Sequence, residues 1–322
     1  MRPGRLPTAW LTGRTAIGGP KLTDQHESIM TQLAASYHHC QQISRRTAKN
    51  FYYSFLALPR PRRLAMCALY AFLRHTDDLG DNPSPLAERR RAVAAWRRSL
   101  ESALAGEFDD PLFPALADTV QTYQIPHEYL FAVLDGIEMD LDERHYETFA
   151  ELEEYCYRVA SVVGLACIHI WGFRSQEALE PARQCGIALQ LTNILRDVKE
   201  DSDAGRVYLP AEDLRRFDYS PDDLRAEVFD DRCRSLIRFE ITRAKEYYAG
   251  AEQLRQWLEP VGLPVFDTMV GIYRALLDEI ERRDGNVFAG RVSLSGWRKL
   301  RIAAGSWLRQ PKFRQLTLGA GP

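Results

Sequence analysis

The sequence predicts an all-α protein, a single helical bundle around a central cavity. From about residue 31, apolar residues recur at three- and four-residue intervals through most of the chain, and strand-like alternation is nearly absent. No Gly/Ser/Pro-rich linker and no internal repeat divides the 322 residues. With 45% hydrophobic and 27% charged residues, the composition suits one substantial core.

In chain order, residues 1–30 have basic side chains but no continuous apolar stretch, which predicts a disordered extension and not a secretory signal. Helices are expected near 31–48, 61–80, 85–106, 114–123, 127–141, 149–172, 176–201, 226–258, 264–284 and 293–308. Breaks fall at Pro59, Pro61, Asn82-Pro83, Pro111, Pro114, Pro126, Pro210 and Pro264. This places one folded domain at 31–308 and a frayed basic tail at 309–322.

The formal net charge of -2 gives no broad drive toward nucleic acid, so no nucleic-acid partner is expected. Six well-separated cysteines, with no CxxC pair or Cys/His cluster, are expected to be buried thiols of a cytoplasmic protein. No segment is long and apolar enough to span a bilayer. After Asp284 the chain carries no acidic residue, while Arg291, Arg298, Lys299, Arg301, Arg309, Lys312 and Arg314 alternate with Trp297, Trp307 and Leu308. That asymmetry predicts peripheral contact between the basic C-terminal region and the inner face of an anionic membrane.

The chemistry concentrates in two stretches. In "NILRDVKED", residues 193–201, at 100° per residue, Asn193, Asp197 and Asp201 fall within about 60° of Gln190, beside the apolar arc of Leu191, Ile194, Leu195 and Val198. Arg196, Lys199 and Glu200 project to the far side and are expected to face solvent. In "ALYAFLRHTDDLGD", residues 68–81, Tyr70, Arg74, Asp77 and Asp81 share a face with Met66 and Leu73, and Asp78 points elsewhere. Carboxylates four residues apart repel by roughly 0.2–0.5 kcal/mol per pair, so two such inward stripes imply a compensating ligand. Hard oxygen donors without cysteine suit Mg²⁺, which keeps positions open for water and phosphate oxygens. Arg74 and Arg206, the latter followed by Tyr208, supply guanidiniums that grip phosphate bidentately. A noncatalytic helical metal-binding protein remains the alternative from another class.

At these residues the chain resembles the squalene/phytoene synthase family of head-to-head prenyl diphosphate synthases, bacterial type. The matching stretches are "NFYYSFLALP" at 50–59, the two motifs above, "DGIEMDL" at 135–141, "YCYRVASVVG" at 155–164 and "YRALLDEIERR" at 273–283. The resemblance implies an isoprenoid-synthase-like bundle in which several Mg²⁺ ions bridge substrate diphosphates. Their ligands would be Asp77, Asp81, Asn193, Asp197 and Asp201. Arg74, Arg206 and Tyr208 would contact diphosphate, Tyr70, Tyr155 and Tyr273 would stand near the reacting end, and Phe51, Tyr53 and Gln190 would line the cavity.

It implies a 1'-2-3 condensation of two prenyl diphosphates through a cyclopropylcarbinyl diphosphate, with farnesyl diphosphate giving presqualene diphosphate as the expected case. Geranylgeranyl diphosphate, leading to phytoene, is the alternative. No GxGxxG follows a strand, so no Rossmann NADPH site is expected. Two positions depart from the family pattern: Gly80 stands before the last aspartate of the first motif, and Ser161 stands where many relatives have glycine.

Overall fold

The computed structural model describes residues 22–48, 54–142 and 145–308, and among them no extended strand occurs. The helices are α1 (Leu22–Thr47), α2 (Arg60–Gly80), α3 (Leu86–Leu104), α4 (Phe113–Tyr123), α5 (His127–Leu141), α6 (Phe149–Cys156), α7 (Val162–Trp171), α8 (Leu179–Asp203), α9 (Ala211–Arg216), α10 (Pro221–Arg225), α11 (Asp231–Ala251), α12 (Leu263–Arg282) and α13 (Gly296–Leu308).

Most starts and stops follow local chemistry. Pro61 lies in the first turn of α2, where the missing amide is not needed, and Thr148 caps α6 by accepting from the Glu151 amide. Ser220 and Asp223 form a reciprocal capping box on α10. The two short helices α9 and α10 were not foreseen, because one or two turns hold too few positions for periodicity to register.

Helix α1 begins at Leu22, so the stretch up to Met30, expected to be disordered, is helical. Residues 27–30 in this stretch, Ile29 and Met30 among them, are exposed. They extend a helix nucleated by the packed positions Ser36, Cys40 and Ser44.

The expected helix over 149–172 is interrupted. A π turn at Tyr157–Ser161 separates α6 from α7, and glycines press on it from both sides. A Cβ added to Gly186 on α8 would stand 2.3 Å from Ser161 Cα, and one on Gly136 of α5 would stand 2.7 Å from Val159 Cγ1. Ser161 is buried and its hydroxyl donates to the Arg183 carbonyl at 2.7 Å. The serine thus satisfies a carbonyl across the contact that the small residues make possible.

Helix α8 is the axis of the bundle and packs against α11, α12, α7 and the π turn, while α2 packs against α1, α3, α4 and α5. His75 lies 4.2 Å from the Trp96 ring, which stacks on Phe72 and Phe113. His75 is itself exposed and covers the outer side of that buried stack. All six cysteines are buried free thiols.

Candidate active site

Helices α2, α5 and α8 bring Asp77, Asp81, Asp140, Asp197 and Asp201 to one acidic cleft where their charges influence one another, and α12 and the segment before α13 add Tyr273 and Arg291 beside Asp197. Asp77 and Asp81 project from the last turns of α2 and are accessible at the cleft surface. The protein around Asp77 and its neighbours Asp81, Asp78 and Asp140 outweigh the nearby Arg74, raising its carboxyl to about 7. Arg74 turns to Asp78, an ion pair the register did not suggest. Its Nε is buried and has no partner.

On α8, burial opposes ionisation of Asp197, but two guanidiniums reverse the balance and hold it below the usual carboxylate range. Arg196 donates through Nε at 2.8 Å and also through Nη2, and Arg291 donates through Nε at 2.9 Å. Arg196 is therefore not on the solvent face, with only 18% of its side chain exposed. A helical wheel fixes the direction of Cβ, whereas a guanidinium on a long stem reaches an adjacent residue across the helix surface. Glu200 is exposed, as expected, and Lys199 pairs with Asp203 and Glu227 outside the cleft.

Asp201 has the opposite balance from Asp197. Burial, with Asp197 and Asp140 nearby, raises it to about 6 even though Arg206 donates to it at 3.3 Å. Asn193 donates to Gln190 at 3.2 Å, and its Oδ1 is buried without a partner. Tyr273, from α12, adjoins Arg196, Asn193 and Asp197. Tyr70 packs edge-on against Phe55, 6.4 Å between centroids. Phe51 and Tyr53 lie outside the described residues.

Two functional candidates were missed in the sequence. Asp140 on α5 accepts from Tyr155 at 3.2 Å and Tyr208 at 2.9 Å, and its charge couples to Asp77, Asp81 and Asp201. Its stretch "DGIEMDL" was noticed, but one aspartate without a partner four residues away makes no stripe. Arg291 reaches Asp197 from a loop far along the chain, and no local pattern announces that. Tyr155, Tyr208 and Tyr146 form a stacked wall over Asp140, with centroids 5.3 Å apart for Tyr155 and Tyr208 and 5.4 Å for Tyr146 and Tyr155.

Among the described residues, no group of three or more His, Cys, Asp or Glu side chains is close enough to hold a metal ion unaided. The donors nevertheless fit a hard divalent cation. They are carboxylates that lack cationic partners on α2 and an unpartnered amide oxygen on α8. Arg74 presents the complementary need, a buried donor without an acceptor. Two cavities, about 370 Å³ beside Arg274 and Ile302 and about 290 Å³ beside Gln32 and Phe108, lie away from these carboxylates.

The squalene/phytoene synthase profile matches residues 44–298. The chain belongs to the squalene/phytoene synthase family. It is 39% identical to the 15-cis-phytoene synthase of Synechococcus elongatus over 284 residues, 84% of this chain and 92% of that protein. It is 36% identical to the phytoene synthase of Mycobacterium tuberculosis, over 85% of this chain and 91% of that one.

Among solved structures, a dehydrosqualene synthase superposes with a TM-score of 0.78 at 28% identity, covering 87% of this chain and 98% of its own. Squalene synthase HpnC from Alicyclobacillus acidocaldarius superposes with a TM-score of 0.75 at 30% identity, covering 79% and 96%. The expected family, prenyltransferase class and all-α isoprenoid-synthase fold are thereby borne out.

Proposed function

We propose that the chain joins two identical allylic prenyl diphosphates head to head, with Asp77, Asp81, Asn193, Asp197 and Asp201 holding Mg²⁺. The observation that carries this reading is a pair of complementary orphans: Asn193 Oδ1 lacks a cation or donor, and Arg74 Nε lacks an acceptor. A magnesium diphosphate satisfies both at once.

When bound, Mg²⁺ neutralises charge on the departing pyrophosphate as a Lewis acid. Arg74 and Arg206 grip phosphate oxygens, so that charge developing on the leaving group meets positioned donors, while the Tyr208 hydroxyl, expected at the diphosphate, donates to Asp140 instead. Arg196 and Arg291 leave Asp197 for the diphosphate as it enters. Gln190 holds the Asn193 amide, fixing its oxygen toward the ligand. Tyr70 and Tyr273 present rings and hydroxyls to the allylic cation, at about 0.5–2 kcal/mol for a ring face, and apolar packing excludes water until the second double bond attacks.

The relatives named above favour geranylgeranyl diphosphate and phytoene over the expected farnesyl diphosphate and presqualene diphosphate. The likeness to a squalene synthase and a dehydrosqualene synthase keeps the shorter substrate as the second reading. Incubation with Mg²⁺ and each diphosphate decides between them: pyrophosphate release with a C40 or a C30 product assigns chain length, and inertness with both defeats the function.

A peripheral lipid contact belongs to the same proposal. No described helix is long and apolar enough to cross a membrane. Helix α13 packs chiefly on α12 and leaves Trp297 82%, Leu300 59% and Leu308 63% exposed beside Arg298, Lys299 and Arg301. Vesicle sedimentation tests it: binding to anionic vesicles is expected to fall for Trp297→Ala combined with Leu300→Ala, and unaltered binding removes the contact.

A further inference from the structure

Asp140 belongs to neither acidic stripe, yet it lies between them. Its position depends on Gly80: a Cβ there would stand 2.9 Å from Ile137 Cγ2, so the glycine lets α5 close on the end of α2 and carries Asp140 in beside Asp81. Among the described residues no arginine or lysine forms an ion pair with Asp140. Both of its oxygens instead accept from phenols, Oδ2 from Tyr155 and Oδ1 from Tyr208. Tyr155 is buried behind it, while Tyr208 remains partly open to the cleft. Its oxygens thus meet two hydroxyls that can pass a proton, and no cation.

We infer that Asp140 is the terminal proton acceptor of the condensation and acts through the Tyr208 hydroxyl. The inference rests on the head-to-head reading above. Closing the cyclopropane breaks one C–H bond at the carbon that carried the departed diphosphate, and the electron pair of that bond becomes the last ring C–C bond. The proton passes to the Tyr208 oxygen while the phenol's own proton passes to Asp140 Oδ1. Tyr208 ends unchanged and Asp140 ends neutral, and it returns the proton to water or to pyrophosphate before the next turnover.

The location suits that proton. The carbon that loses it has just left the phosphate-binding groups, and Tyr208 stands two residues from Arg206, whose charge Asp140 feels. Burial and the adjacent Asp140 push the Tyr208 phenol well above its ordinary range, so a free phenolate is scarce and a concerted relay avoids it. Tyr155 holds the second oxygen and keeps the carboxylate aimed.

Product partition tests the assignment. In Asp140→Asn the amide oxygen still accepts from Tyr208 but takes no proton, so cyclopropyl product per pyrophosphate released is expected to fall about 10²-fold, the lower range for a lost general base. Prenyl alcohols from water capture should rise in step. Asp140→Glu should recover part of the ratio, Tyr208→Phe should reproduce the Asn phenotype, and melting curves should confirm that each variant is folded.

An unchanged ratio in Asp140→Asn overturns the relay. So does a parallel loss of pyrophosphate release and product with a raised Mg²⁺ requirement, which makes Asp140 a metal ligand. A shift in Tyr155→Phe with none in Tyr208→Phe overturns the route through Tyr208. Absence of any head-to-head product from the unmodified protein is a different result, and it defeats the reaction assignment itself.

Discussion

At the end of α2, Asp77 and Asp81 stay accessible without an ion pair among the described residues, and the protein packed around Asp77, with its acidic neighbours, raises it to about 7. On α8, Asp197 has the same four-residue spacing to its partner but holds two guanidiniums and stays ionised below the usual range. One stripe is short of positive charge before any ligand arrives, and the other has borrowed it from Arg196 and Arg291. Spacing alone therefore does not define the electrostatic state of an aspartate motif; the side chains that reach it from other elements do. In the proposed cycle, α2 gains a counter-charge when the ligand binds, whereas α8 exchanges one for another.

The largest expected effect would leave the two stripes alike in catalysis and unlike in stability. Asp77→Asn and Asp197→Asn should each lower turnover by about 10²–10³-fold, the scale for losing one preorganised electrostatic partner of a transition state. Without divalent metal, Asp77→Asn should raise the melting temperature by relieving repulsion. Asp197→Asn should lower stability by about 1–2 kcal/mol, because it strips Arg196, mostly buried, of its charge partner. Near-normal activity in either variant at low Mg²⁺ would end that stripe's role as a metal site.

Acidity should separate the stripes next. Asp77 and Asp201 have folded values near 7 and 6, above those of an unfolded carboxylate. Between the unfolded and folded values the native state binds more protons, so their contribution is fully present at low pH and is lost as pH rises through about 6 to 7. Asp197, held low, stays ionised over that window. The metal-free protein should therefore melt higher at pH 6 than at pH 8. Mg²⁺ with pyrophosphate should narrow the gap by stabilising the pH 8 form, by about 2.7 kcal/mol at a hundredfold excess over its dissociation constant. Melting that rises monotonically to pH 8 without metal would refute the charge deficit on α2.

The smallest effect concerns Arg291, whose side chain is 57% exposed. Arg291→Ala should cost under about 1 kcal/mol without ligand, as expected for an exposed pair. It should increase the stabilisation given by Mg²⁺ alone, since Asp197 then has one competitor fewer. An unchanged metal-induced shift would show that Arg291 does not compete for Asp197.

What the sequence made legible follows periodicity. The stripes and the helices that carry them come from residues whose partners lie within one or two turns. The unforeseen features depend on distance or on side-chain length. Asp140 becomes central only because Gly80 admits Ile137, Arg291 arrives from another element, and Arg196 folds its long stem back onto its neighbour. Arg74 was expected to face Asp77 and pairs with Asp78, a reminder that a guanidinium samples several carboxylates one turn away.

The π turn at Tyr157–Ser161 also governs what the chain can lose. It is one residue wider per turn than an α-helix, and the two glycines that press on it leave little room to slide. Deleting a single residue there would return a continuous α-helix, with α6 and α7 still in phase. Tyr155, in the last turn before the widening, would keep facing Asp140, whereas a deletion inside a regular helix turns one flank by about 100° against the other. The extra residue is a length buffer between the tyrosine wall and α7.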